Sequence, residues 1–387
     1  MDNKTERNVS FRGSEEFLDI EIKEPVTHAA GYLGVREALK HTFKEMGVLR
    51  SMRTLLSMNQ KDGFDCPSCA WPDPEHPSPV AEYCENGAKA LGDEATREQI
   101  SSGFFQKNSV EDLSRLTDYE LNKFGRLIEP MVLKPGSVHY ESISWQAAFD
   151  LIASELKKLD NPDEAIFYTS GRSSNEAAFL YGMFARALGT NNLPDCSNMC
   201  HESSGVALGE TLGIGKGSTT LEDLYEAEVI LIAGQNPGTN HPRMLSALEK
   251  CKQNGGKVIS INPLEESGLV NFKNPQHLNG WIGGGEDMAD IHLPVNINQD
   301  IPLVKLILKK LVTLDQQSKD VFDHAFIEKY TDGYDALIND LKNYDSEELL
   351  KQTGVSEERI NETVALLANK SKIIVCWAMG LTQHKNG

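Results

Sequence analysis

Cys200 and His201 stand side by side in the run Cys196-Ser197-Asn198-Met199-Cys200-His201. A thiolate suits a soft metal, and an adjacent imidazole can relay a proton. A lone cysteine is more often a small buried hydrophobe, but the polar neighbours make that reading less attractive here. Gly189-Thr190-Asn191-Asn192 leads into the pair, which is expected on a polar turn between two helix-like stretches. A second chemical signal is Cys66-Pro67-Ser68-Cys69, in a segment where Pro67, Pro72, Pro74, Pro77 and Pro79 forbid a long helix. A C-x-x-C knuckle aims two thiolates at one centre, as zinc and iron–sulfur sites both require. His76 and Cys84 lie close behind and could complete four ligands. On the residues alone zinc and a cluster stand level, with unliganded thiols as the third option.

Groups of this kind need a scaffold. Glu228-Val229-Ile230-Leu231-Ile232-Ala233-Gly234 reads as a buried strand. It runs into Gly234-Gln235-Asn236-Pro237-Gly238-Thr239-Asn240-His241-Pro242, a polar loop at a strand's C-terminal end, where open α/β sheets bind ligands. A helix is expected from His241 to Gln253, and its N-terminus favours an anionic diphosphate. Arg243 would add a bidentate donor. Strands are expected at Ala165–Ser170, Lys257–Asn262, Asp290–Val295 and Lys372–Trp377. Helices are expected from Trp145 behind a Ser144 cap, over Ala177–Leu188, over Pro302–Val312, and from a Ser356 cap through Leu367. Further helical patterns run through Ala29–Met58 and Glu111–Leu121. This β-α-β-α order predicts an α/β fold with a parallel sheet and helices on both faces. Gly213-Ile214-Gly215-Lys216-Gly217-Ser218 is not a phosphate-binding P-loop: Gly217 follows the lysine, and Glu210 stands where the first glycine belongs.

Composition limits the function. The chain has 387 residues, enough for two or three domains, with 40% hydrophobic and 25% charged residues. A formal charge of −19 opposes binding to nucleic acid or anionic membranes. No run of about 18 apolar residues is present, so no membrane insertion is expected. Residues 1 to about 25 are polar, show no export signal and are expected to be poorly ordered. Seven cysteines, an odd number, do not read as a disulfide framework and favour a reducing cytoplasm.

The Cys200-His201 pair, the strand and its Gly-x-Asn-Pro loop together resemble the molybdopterin oxidoreductases, specifically the formate-dehydrogenase-like alpha subunits. The run Phe64-Asp65-Cys66 through Cys69-Ala70-Trp71-Pro72 is similar to the acid-resistance-associated branch of that family. The resemblance implies a molybdenum (or tungsten) centre carrying two molybdopterin guanine dinucleotides. Cys200 would be its protein ligand and His201 would move the substrate proton. Gly234, Asn236, Pro237, His241, Arg243, Asn262 and Gly380 would contact the cofactor, and Asp300 falls where the family often places an acid for guanine. Pro263, Thr382 and Gln383 belong to the same strand-end loops. The resemblance also implies a [4Fe–4S] cluster on Cys66, Cys69 and Cys84, one cysteine short of the usual four. Lys89 would help electrons pass between cluster and pterin. Gly213–Ser218 becomes a loop near the pterin. Cys196, Cys251 and Cys376 read as structural neighbours or packing residues.

The expected organisation is an N-terminal extension (1–60), a cysteine segment (61–140), the first part of a split α/β domain (141–195) and a dinucleotide-binding α/β domain (196–387). Members of the family run to about twice this length, so the sequence looks like the N-terminal half of a larger oxidoreductase. A small-molecule substrate and an electron-transfer partner follow. The competing readings are a non-catalytic or acid-stress-related protein that keeps the fold, and a zinc-bearing, nucleotide-binding α/β protein.

Overall fold

The computed structural model describes Glu24 and residues 26–69, 71–169, 171–194, 196–318 and 320–387. The expectation of poor order for residues 1 to about 25 therefore falls almost entirely outside the described residues.

The helical pattern after Ala29 forms two helices, α1 (Gly31–Met46) and α2 (Val48–Ser57). Gly47 separates them at φ +74°, a backbone conformation that glycine adopts without strain. Both pack on α3 (Glu85–Glu94) around Ala38, Met46, Leu55, Met58, Ala88 and Leu91. The proline-rich stretch between α2 and α3 is a structured loop. The Glu111–Leu121 pattern splits into two short helices, Val110–Ser114 and Asp118–Asn122, because Ser109 and Thr117 each close their own capping box.

Helix α4 (Trp145–Leu156) begins where Ser144 Oγ accepts the Ala147 N–H. Helix α5 (Asn175–Leu188) starts two residues before its expected position, since Ser174 caps it, and ends at left-handed Gly189. The strand expected at Ala165–Ser170 does not form among the described residues, and Ser170 lies outside them. Its alternation survives, with Phe167 5% exposed between Ile166 at 70% and Tyr168 at 50%. Phe167 N–H donates to Asn192 O, but among the described residues the contact does not extend into a strand of its own. The expected polar turn at Cys200 is also revised. Cys196–Leu212 is helical (α6) and breaks at His201, where φ −125° and ψ 22° leave the helical region. Polar residues with no proline among them did not stop the helix.

The remaining elements build the sheet: α7 (Leu221–Glu226), β1 (Val229–Ala233), α8 (Arg243–Gln253), β2 (Lys257–Ile261), β3 (Ile291–Leu293), α9 (Asp300–Ser318), α10 (Ser346–Thr353), α11 (Glu357–Leu367) and β4 (Ile373–Trp377). The strand order is β3-β2-β1-β4, all parallel, with Val229 opposite both Lys257 and Ile373. All five residues of β1 are buried, the continuous apolar run that a doubly covered parallel strand requires. Val229, Leu231 and Ala233 pack with Ile259, Leu293, Leu303, Leu306 and Ile360, from β2, β3, α9 and α11. Ile230, Ile232 and Val258 face Leu224, Met244, Leu245 and Leu248 of α7 and α8. Helices therefore cover both faces, and each fully buried Ile or Leu contributes roughly 1.5–3 kcal/mol.

Glu228 sets the register of the outer strand. Its Oε2 accepts the N–H groups of Ser371 and Lys372 at 2.9 and 3.1 Å, which hold its carboxyl at a pKa of about 2. Among the described residues, no helix is long and apolar enough to cross a membrane.

Candidate functional site

Gly234, directly after β1, turns the chain at φ +59°. The loop after β4 meets it backbone to backbone. Gly380 N–H donates to Gly234 O at 3.0 Å, and a Cβ on Gly234 would stand 2.7 Å from the Gly380 carbonyl carbon. Asn236 and Pro237 follow. The Asn236 carboxamide accepts the Thr239 N–H and caps the short helix Pro237–Asn240, while its amide donates to Glu266 at 2.6 Å. The longer helix starts at Arg243 rather than His241, because the chain first turns out of the short helix at His241.

Together these strand ends enclose a cleft of about 550 Å³. It spans the C-terminal ends of all four strands: Gly234, Asn236, Asn240 and His241 beyond β1, Ile261, Asn262 and Pro263 at β2, Val295 to Ile297 beyond β3, and Ala378 to Gly380 beyond β4. This is where the strand order reverses, the expected ligand crevice of an open parallel sheet. His201, Glu266, Asp300 and His384 complete the lining.

Of the residues singled out in the sequence, His201, Gly234, Asn236, His241, Asn262, Pro263, Asp300 and Gly380 line this one cleft. Cys200 lies beside it, partly buried, at the break in α6. Its carbonyl accepts Thr382 Oγ1 at 3.2 Å and Gln383 Nε2 at 3.0 Å. Trp377 Nε1 donates to Ser204 Oγ at 2.9 Å and ties α6 to the end of β4. Glu266, Asn296 and His384 were missed in the sequence. His384 directly follows Thr382 and Gln383 of a strand-end loop, whereas nothing local marks the other two.

Two polar atoms in the cleft are buried without a hydrogen-bond partner, His241 Nδ1 and Asp300 Oδ2. Such groups are costly unless something fills the site. Burial, with His201 nearby, lowers the His241 pKa and keeps the imidazole neutral. Burial raises the Asp300 carboxyl pKa against the opposing pull of His384, whose Nδ1 stands 3.1 Å away without hydrogen-bond alignment.

No residue of the cysteine segment lines this cleft. Asn59, 3% exposed, staples both ends of the loop by accepting Cys66 N–H at 2.8 Å and donating to Glu82 O at 2.6 Å. Cys84 caps α3, its sulfur 3.3 Å from Gly87 N. A Cβ on Gly87 would stand 2.8 Å from Cys66 Sγ and 3.7 Å from Cys84 Sγ, so the missing side chain is what lets these sulfurs approach the helix. Burial raises the thiol pKa of both Cys66 and Cys84. His76 is exposed. Among the described residues only His41, Glu45 and Asp93 bring three possible metal-ligand atoms within 4.8 Å of one another, so the three cysteine sulfurs are spread wider.

Two placements differ from the sequence expectations. Arg243 does not reach the cleft, because its guanidinium is ion-paired with Asp73 and Glu82 of the cysteine loop. Residues 213–218 are exposed and also lie off it. Lys89 pairs with Glu85 one turn back on α3, the helix that Cys84 caps. Cys251 is fully buried on α8, and burial pushes the Cys376 thiol up to about 11, as packing residues require.

Known proteins give the same picture. The profile of the family described as Molybdopterin oxidoreductase matches residues 126–387. An uncharacterised oxidoreductase of Mycobacterium tuberculosis is 47% identical over 357 residues, 92% of this chain and 46% of its own length. Protein YdeP of Escherichia coli is 40% identical, over 93% of this chain and 48% of its own. The F420-dependent formate dehydrogenase 2 subunit alpha of Methanococcus maripaludis is 30% identical, over 68% of this chain and 35% of its own. Acetylene hydratase from Pelobacter acetylenicus shares the fold, with a TM-score of 0.51 at 22% identity over 63% of this chain and 31% of that one. The chain thus spans just under half the length of the Mycobacterium tuberculosis and Escherichia coli relatives. With its parallel sheet, strand-end cleft and kinked Cys200-His201 helix, this chain belongs to the molybdopterin oxidoreductase family.

Proposed function

We propose that the full-length protein is a molybdenum-dependent, formate-dehydrogenase-like oxidoreductase of a small substrate, carrying a bis(molybdopterin guanine dinucleotide) cofactor and one [4Fe–4S] cluster. The observation that carries this reading is the convergence of His201, Gly234, Asn236, His241, Asn262, Asp300 and Gly380 on one cleft beside Cys200. When bound, the metal supplies a two-electron acceptor.

The chain's own groups suit that cofactor. The close Gly234–Gly380 contact leaves backbone rather than side chains at the cleft floor. The buried Asp300 carboxyl, ion-paired to His384, can accept from the N–H edge of a guanine, and the buried His241 Nδ1 offers a ring nitrogen to the pterin or diphosphate. Cys200 would serve as the thiolate ligand, its backbone fixed by Thr382 and Gln383. His201, released from helical geometry, would accept or deliver a proton at its ring nitrogen.

The cysteine segment would hold the cluster. A tetrahedral zinc with bonds of about 2.3 Å needs its sulfurs roughly 3.8 Å apart. Cys66, Cys69 and Cys84 do not all come within 4.8 Å of one another, a spacing compatible with a larger inorganic body. Lys89 keeps its place in this reading as a cation on the helix that Cys84 caps. Electrons would leave to a partner protein, in a cytoplasm reducing enough to keep these thiols free.

The test is Cys200→Ala in the full-length protein. Turnover with an artificial electron acceptor should fall below detection while pterin content stays near wild type. Unchanged turnover would remove Cys200 from the site.

A further inference from the structure

Arg243 sits at the head of α8, two residues beyond His241 of the cleft, yet its 10%-exposed side chain reaches into the cysteine segment. Its Nε and Nη2 donate to Glu82 Oε1 at 3.1 and 2.7 Å. Nη1 pairs with Asp73 Oδ1 at 2.8 Å and approaches Trp71 O at 3.5 Å. Trp71 and Asp73 follow Cys69 closely, and Glu82 precedes Cys84 by two residues, so one guanidinium grips both sides of the thiol loop. The Trp71 indole also packs on the α8 side of the sheet, its ring centroid 6.3 Å from that of His241.

We propose that Arg243 is a positioning residue that locks the cysteine loop to α8, so that thiol site and cleft keep one spacing. A rigid fork is needed for this, because a lysine would offer one compact charge in place of two directed N–H pairs. The iron-content arm of the test below rests on the cluster reading above; the anchor itself does not.

The anchor is tested in the full-length protein with Arg243→Gln and Glu82→Gln. The second variant breaks the grip from the loop side and leaves the sheet core untouched. In metal-free protein, amide hydrogen exchange across residues 64–84 should quicken at least tenfold in each variant while the amides of β1 keep their protection. The double exchange Arg243→Glu with Glu82→Arg should recover part of that protection. Unchanged exchange in both single variants would overturn the anchor. After iron–sulfur reconstitution, each variant should hold less than half the wild-type iron. Wild-type iron content in both single variants would overturn the claim that the anchor positions the thiol site. A wild-type protein that takes up no iron would sink the cluster reading, and exchange would still decide the anchor.

Discussion

Replacing Gly234 by alanine tests the joint that shapes the cleft. The new Cβ would lie 2.7 Å from Gly380 C, 2.8 Å from Gly380 Cα and 2.8 Å from Leu381 N, all backbone atoms that cannot swing aside. Ordinary contact begins near 3.4 Å, so the loops after β1 and β4 must part by several tenths of an ångström. Overpacking of this kind costs about 1–3 kcal/mol. An alanine at φ +59° adds about 1–2 kcal/mol, and weakening the 3.0 Å Gly380–Gly234 hydrogen bond adds about 1 kcal/mol. The sum is roughly 3–6 kcal/mol. At about 2–4 °C per kcal/mol, melting of the sheet unit should drop by roughly 6–24 °C. Gly255→Ala is the internal control: its φ is +89°, but a Cβ there would meet nothing within 4 Å. It should lose only about 2–8 °C. Thermal melts of wild type and both variants read this directly. A Gly234→Ala melt no lower than that of Gly255→Ala would refute the backbone-to-backbone joint.

Cys66→Ser should remove most of the iron and the broad visible absorption of the reconstituted protein, since it deletes one thiolate of a three-cysteine set. A colourless wild type containing one zinc would rule the cluster out. For Asp300 burial raises the native carboxyl pKa above its unfolded value, so the folded state holds the proton more tightly than the unfolded chain does. That contribution is present below the unfolded value and is lost as pH rises through the folded one. Asp300→Asn in cofactor-free protein should therefore gain melting temperature relative to wild type at pH 7 and gain little or nothing at pH 3.5. A variant less stable than wild type at pH 7 would show that the His384 ion pair outweighs the burial.

Much of this architecture was legible because it follows from local rules. The run from Val229 to Ala233 is apolar at every position, and only a strand covered on both faces uses such a run. Ser144 and Ser356 announced their helices by cap chemistry, and each accepts the backbone N–H expected of it. The family resemblance implied the cleft residues, and they meet because strand-end loops in a parallel sheet converge whatever their sequence separation. What stayed hidden depends on distant partners. Arg243 looks like a phosphate ligand until Glu82, 161 residues away, is placed against it. Asn59 gives no sign in the sequence that it staples Cys66 to Glu82. Helix α6 was misread because its polar residues tolerate helix and turn alike, so the break at His201 shows only in the folded backbone. The strand expected at Ala165 needed a neighbour that the described residues do not supply.

The central claim is a molybdenum–pterin centre in the strand-end cleft with an iron–sulfur cluster in the cysteine loop. Elemental analysis of anaerobically purified full-length protein, combined with assay of released guanine nucleotide, tests it most directly. The account predicts about one molybdenum (or tungsten), two guanines and about four irons per chain. Zinc alone, or a metal-free protein without guanine, would contradict it.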